Sequence, residues 1–151
     1  LRVKTTRVFE DLLNPNYRNY IFQGSSRAGK TWNIILWLII DLLNQQNKTY
    51  SIVRKTLPSL KGSVLRDLKE VLLLLDLYRE DNWHSVDGYY QLGTNIIEWF
   101  SLDSEEKIRG RKRDVCFINE ATEITYDEYV QLSLRTSDRM ILDFNPSLWN
   151  S

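Results

Sequence analysis

Apolar and polar positions fall along this chain in blocks whose period switches between helix and strand. Residues 31–44 are apolar nearly all round, the pattern of a helix buried inside a domain. Before them Tyr20-Ile21-Phe22-Gln23 is short and strand-like; after them Thr49-Tyr50-Ser51-Ile52-Val53-Arg54 is rich in β-forming side chains and predicts a second strand. A turn at Leu57-Pro58-Ser59 leads into 60–77, where Val64, Leu65, Leu68, Val71, Leu72 and Leu75 make an i, i+3, i+4 helical stripe. The period then shortens. Tyr89-Tyr90-Gln91-Leu92 and Ile96-Ile97-Glu98-Trp99-Phe100 flank Gly93-Thr94-Asn95, a hairpin signature. Val115-Cys116-Phe117-Ile118 and Arg139-Met140-Ile141-Leu142-Asp143-Phe144 are buried-strand candidates. Between them Thr125-Tyr126-Asp127-Glu128 has capping-box spacing and starts a helix reaching about residue 135. At the front, Phe9, Leu12 and Leu13 at helical spacing, stopped by Asn14-Pro15-Asn16, predict a short helix leading into the first strand. Such alternation favours one α/β domain: a mainly parallel sheet flanked by helices, with an inserted β-hairpin.

The junction between the first strand and the buried helix is Gly24-Ser25-Ser26-Arg27-Ala28-Gly29-Lys30-Thr31. It is a complete match to the phosphate-binding pattern of a Gly, four residues, then Gly-Lys-Thr, in the strand-loop-helix context that the motif requires. Its glycines let the backbone curl so that NH groups point at phosphate oxygens, while Lys30 would reach the β and γ phosphates and Thr31 would ligate Mg²⁺. ATP and Mg²⁺ are the expected ligands. Tyr17 or Tyr20 could stack on the adenine or simply pack, the commoner use of tyrosine.

Composition narrows the remaining classes. The 151 residues suffice for one domain, and twenty basic residues balance twenty acidic ones, so net charge gives no argument for nucleic acid. The only concentrated positive stretch is 107–113, with five basic residues among seven; it is either a solvated loop or a phosphate contact, to DNA backbone or to nucleotide. One cysteine, Cys116, and one histidine, His84, exclude a disulfide framework or a His/Cys metal cluster within the chain. His84 has no partner at a readable spacing and reads as structural. The longest unbroken apolar run, 34–40, is far short of a membrane span, and no secretory signal is seen.

The second half of the site lies where Val115-Cys116-Phe117-Ile118 ends in Asn119-Glu120. A buried parallel strand delivers such residues to its C-terminal edge, beside a phosphate loop. The usual pair is an Asp that holds the Mg²⁺ shell, then a Glu that positions the attacking water. Here Asn119 replaces the Asp; it can bond a metal-bound water but brings no charge. Glu120 is the candidate catalytic base. Asp143 is an alternative source of the missing charge, disfavoured by its place inside a strand. Asn145, at the tip of the last strand, could sense the γ phosphate.

Taken in order, these motifs resemble the ATPase domain of the large terminase subunit, the DNA-packaging motor of tailed bacteriophages. The resemblance covers nearly the whole chain: the Arg-containing loop, Val53-Arg54-Lys55-Thr56, Lys107-Ile108-Arg109-Gly110, Asn119-Glu120-Ala121-Thr122-Glu123 and Phe144-Asn145-Pro146. It implies an additional-strand, RecA-like P-loop fold, with the strand through Met140 lying between the loop strand and the acid strand. It also implies Arg27 on the γ phosphate, Glu120 as catalytic acid, Asn145 in the motif that couples hydrolysis to movement, and an arginine supplied in trans, for which Arg54 and Arg66 are candidates. The implied partners are double-stranded DNA, the portal ring, the small terminase subunit and further copies of this chain in a ring, in the cytoplasm of the infected bacterium and with no membrane. Family members carry a C-terminal nuclease domain; this chain stops just beyond the coupling motif, so residues 1–151 are expected to be the ATPase domain alone. The rival readings are another DNA-translocating ATPase or helicase, and a nucleotide-binding module with negligible hydrolysis. A small-molecule kinase fits less well, because the Asn119-Glu120 and Asn145-Pro146 strand tips suit activation of water better than binding of an acceptor.

Overall fold

The computed structural model describes residues 5–25, 29–103 and 111–146. Its strands are β1 (Asn19–Gln23), β2 (Thr49–Arg54), β3 (Trp83–His84), β4 (Tyr89–Leu92), β5 (Asn95–Ser101), β6 (Arg113–Ile118) and β7 (Thr136–Phe144). The helices are α1 (Arg7–Leu12), α2 (Lys30–Leu42), α3 (Leu57–Ser59), α4 (Leu65–Leu74) and α5 (Tyr126–Leu134). All seven strands join one sheet in the order β1-β7-β6-β2-β5-β4-β3. The pairings from β1 through β5 are parallel, and β4 runs antiparallel to both β5 and β3. The expected hairpin therefore extends the sheet, with its second arm serving as the parallel neighbour of β2. The last strand lies between the loop strand and the acid strand, as the family resemblance implies.

Helices α1, α2 and α4 cover one face. Helix α2 is buried along most of its length, between Tyr20, Ile52, Val115, Phe117 and Ile141 of the sheet and Leu12, Leu68 and Val71 of its neighbours, which explains its lack of a polar side. On the opposite face α5 packs on Val53, Phe100, Cys116, Ile118 and Met140. Its one fully buried side chain, Leu132, contributes on the order of 2 kcal/mol. The predicted capping box is formed: Thr125 accepts from the Glu128 amide and the Glu128 side chain accepts from the Thr125 amide.

One reading of the sequence needs correction here. The segment expected as one helix over 60–77 begins earlier, at Leu57, and is interrupted by a π-helical stretch, Leu60–Val64. Pro58 suits the first helical turn, where no N–H is needed. Gly62 and Ser63 lie in the widened part, where Ser63 Oγ bonds the Ser59 carbonyl at 3.0 Å. Tyr20, weighed as an adenine platform, is only 5% exposed. The Arg139 guanidinium covers its ring at 4.7 Å, so Tyr20 is a core residue. His84 stacks on Tyr89 with ring centres 4.5 Å apart, the structural role expected of it.

Candidate nucleotide site

Strand register brings the site together. Ile118 pairs with Leu142 on one side and with Val53 on the other, so the next residues of the three strands, Asn119, Asp143 and Arg54, arrive level at the C-terminal edge. On the other flank of β7, Gln23 pairs with Phe144, and the Gly24 amide donates to the Phe144 carbonyl at 3.2 Å. The phosphate loop therefore leaves the sheet at the same height.

Gly29 closes the loop in the left-handed region, φ 70°. A Cβ there would meet nothing closer than Asn33 Nδ2 at 3.5 Å, so the constraint is the backbone conformation and not space. Asn33 fastens this turn, donating to the Gly29 carbonyl at 2.8 Å and accepting the Thr6 amide at 3.0 Å. Lys30 is buried and donates to the Gly24 carbonyl across the loop at 3.0 Å. Arg27, together with Ser26 and Ala28, lies outside the described residues.

Asp143 is the centre of the polar cluster. Its carboxylate is fully buried and accepts from Thr31 Oγ1 at 2.9 Å, from Asn119 Nδ2 at 3.0 and 3.1 Å, and from the Glu120 amide at 2.8 Å. Burial pushes its carboxyl above the ordinary range, against the pull of those hydrogen bonds and of Lys30. Glu120 stands beside it with φ 54° and ψ 62°, a left-handed conformation that a non-glycine residue adopts only at a cost. Burial and the Asp143 charge push the Glu120 carboxyl up as well, while Lys30, Arg54 and the Asn145 amide pull it down. Its Oε2 is buried and has no hydrogen-bond partner among the described residues.

Lys30, Thr31, Arg54, Asn119, Glu120 and Asn145 line one pocket of ≈ 620 Å³, a size suited to a nucleotide. Gly29, Trp32, Ser63, Arg66 and Asp67 complete its wall. Arg54 is held by Glu123 at 3.2 Å, by the Ser59 carbonyl at 3.2 Å and by Ser63 Oγ at 2.9 Å, so the π-helical stretch is where this arginine is anchored. Neighbouring Lys55 pairs with Glu128 at 3.0 Å. A second cavity of ≈ 730 Å³, lined by Ile21, Leu142 and Phe144 together with Arg54 and residues 121–124, lacks the loop residues.

The acid strand and loop were found from sequence; the central place of Asp143 was not. It is the penultimate residue of β7 and bonds Thr31, Asn119 and Glu120, which line the pocket, and an acid between apolar neighbours in a buried strand already signals that partners must surround it. The basic stretch also divides. Lys107 and Arg109 lie outside the described residues, whereas Arg113 is fully buried, bonded to Ser51 at 3.0 Å and 3.8 Å from Glu98. It fits neither a solvated loop nor a phosphate contact. Arg111 pairs with the same Glu98 at 3.1 Å.

The family model described as phage terminase large subunit matches residues 16–150. The chain belongs to the phage terminase large-subunit family. Among solved structures it is similar to the large terminase from a thermophilic bacteriophage, with TM-score 0.76 and 22% identity over 95% of this chain and 39% of that one. A structure of the same terminase in complex with ATP-γ-S gives TM-score 0.70 and 19% identity, covering 93% of this chain and 38% of that one. The large terminase ATPase domain of Thermus phage P74-26 gives TM-score 0.66 and 15% identity, over 93% of this chain and 64% of that domain. No curated protein matches. The fold is thus the P-loop, RecA-like fold of terminase ATPase domains, and the chain spans about two fifths of the length of the thermophilic phage's large terminase.

Proposed function

We propose that this terminase chain binds Mg-ATP at Gly24 to Thr31 and hydrolyses it to drive double-stranded viral DNA into a procapsid. The observation that carries the reading is the convergence of Lys30, Thr31, Asn119, Glu120 and Asn145 on one pocket, in a chain of this family. Lys30 would exchange its bond to the Gly24 carbonyl for the β and γ phosphates, and Arg27 would join it on the γ phosphate. Glu120, with a buried oxygen that lacks a partner, would orient the attacking water and accept its proton. The polar donor set suits a metal bound with the nucleotide: Thr31 would hold it directly and Asn119 through water. Mg²⁺ there would neutralise charge developing on the phosphate oxygens.

Because the Asn145 amide bonds the Glu120 carboxylate, loss of the γ phosphate could pass through Glu120 to the end of β7 and on to the DNA. Arg54 and Arg66 are the candidates for an arginine acting on a neighbouring subunit's nucleotide. Arg66, which is exposed, suits that role better than Arg54, which is bonded to Glu123, Ser59 and Ser63. Copies of this chain in a ring, the portal, the small subunit and DNA are the partners of the proposal, in the cytoplasm of the infected bacterium.

The test is ATP hydrolysis and nucleotide binding by the wild-type chain, Lys30→Ala and Glu120→Gln across a range of protein concentrations. Turnover should vanish in Lys30→Ala and fall by about 10²- to 10⁴-fold in Glu120→Gln with binding kept, and a specific rate that rises with concentration supports an arginine in trans. Binding without turnover at any concentration would favour the nucleotide-binding module, for which Asn119 in place of an acid is the supporting feature.

A further inference from the structure

We infer that Asp143, from the central strand, supplies the negative charge of the metal site, and that Asn119 serves as the donor that fixes its carboxylate. This rests on the nucleotide reading above. In phosphate-loop enzymes the loop Ser/Thr and one strand-tip acid hold Mg²⁺ together. Here the carboxylate bonded to Thr31 Oγ1, at 2.9 Å, is that of Asp143. The amide of Asn119 is turned with Nδ2 toward both Asp143 oxygens, at 3.0 and 3.1 Å. That orientation follows from chemistry, since an ionised carboxylate only accepts hydrogen bonds.

A fully buried carboxylate is costly unless it is paired, and Asp143 has three neutral donors around it and no ion-pair partner among the described residues. Four bonds, two on each oxygen, fill the roughly four lone-pair positions of the carboxylate, so its charge would act on the metal through Thr31, whose hydroxyl can donate to Asp143 and ligate the metal at once. Among the described residues there is no cluster of three or more metal-binding side chains, which accords with Mg²⁺, a cation held by one or two carboxylates together with phosphates and water. The strand exchange is possible because β7 and β6 are adjacent and in register at Ile118 and Leu142, so either strand tip can present the acid.

The experiment measures ATP-γ-S binding calorimetrically in Mg²⁺ and in EDTA, and takes the ratio of the two dissociation constants as the metal's contribution. Asp143→Asn should shrink that ratio by about 10- to 100-fold while binding in EDTA persists, and Asn119→Asp/Asp143→Asn should recover most of it. Asn119→Ala should shrink it by less than Asp143→Asn does, because the charge stays in place. A wild-type ratio in Asp143→Asn overturns the inference, as does no recovery in the double variant. Should Asp143→Asn fail to fold, Asn119→Ala decides alone, and complete loss of the metal's contribution there, with Asp143 still in place, overturns the inference. Absence of binding by the wild-type chain in both buffers would instead refute the nucleotide reading itself.

Discussion

Glu120→Gly should make the protein more stable while abolishing turnover. Three features of the wild-type residue set the magnitude. Its left-handed backbone, φ 54°, costs an L-residue about 1–2 kcal/mol that glycine does not bear. Glycine in turn loses about 0.5–1 kcal/mol through the larger freedom of its unfolded chain. Removing a carboxylate whose Oε2 is buried without a partner returns about 1 kcal/mol or more of desolvation cost, against about 1 kcal/mol for the lost bond from the Asn145 amide. The net gain is about 1 kcal/mol, or a rise of about 2–4 °C in Tm for a chain of this size. The gain should also depend on pH. The folded carboxyl titrates above its unfolded value, through burial and the Asp143 charge, so the wild-type protein loses stability as pH rises through that interval. The advantage of Glu120→Gly is therefore larger at neutral pH than near pH 4. Urea unfolding followed by circular dichroism at both pH values measures it. A midpoint for Glu120→Gly below that of the wild type at neutral pH would refute the reasoning.

Two glycines of the hairpin region should separate backbone strain from steric clash. Both have positive φ, but a Cβ on Gly88 would stand 2.9 Å from the Trp99 carbonyl oxygen, whereas one on Gly93 meets nothing within 4 Å. Gly93→Ala should cost about 1–2 kcal/mol and Gly88→Ala about 1–3 kcal/mol more, with equal unfolding midpoints as the contrary result. Burial pushes the Cys116 thiol up to about 12, so a thiol reagent at pH 8 should leave the native protein unlabelled and react fully in denaturant; rapid stoichiometric labelling of the folded chain would contradict this.

The motifs that depend on chain neighbours were legible in the sequence. The loop from Gly24 to Thr31 is a local backbone device, and the strands through Val53 and Ile118 carry their β character in consecutive residues. The Thr125 capping box is equally local. Features fixed by cross-strand register were not legible. Asp143 was judged by its position within its own strand, while its bonds to Thr31, Asn119 and Glu120 follow from where β7 stands relative to β6 and β1. Arg113 was counted with its charged neighbours, yet the sheet carries it inward to Ser51 and Glu98. The π-helical stretch had only Gly62-Ser63 as a signal, and the bond that Ser63 accepts from Arg54 forms only once the end of β2 is in place.

The position of β7 also bears on the order in which this protein can be made. Among the described residues β1 has β7 as its one neighbour in the sheet, and β7 is the last of the seven strands in sequence order. As the chain leaves the ribosome, β1 and the phosphate loop behind it therefore wait without a seat while the five strands between β1 and β7 are synthesised. Helix α2, apolar on nearly every side, lacks the sheet residues Ile141 and Tyr20 in their final places for the same interval, a period open to chaperones and to misassociation. Pairing elements so far apart in sequence is slow, and it forms the nucleotide pocket in the same event. Nucleotide capture by a ribosome-bound chain should thus begin only once residue 144 has emerged.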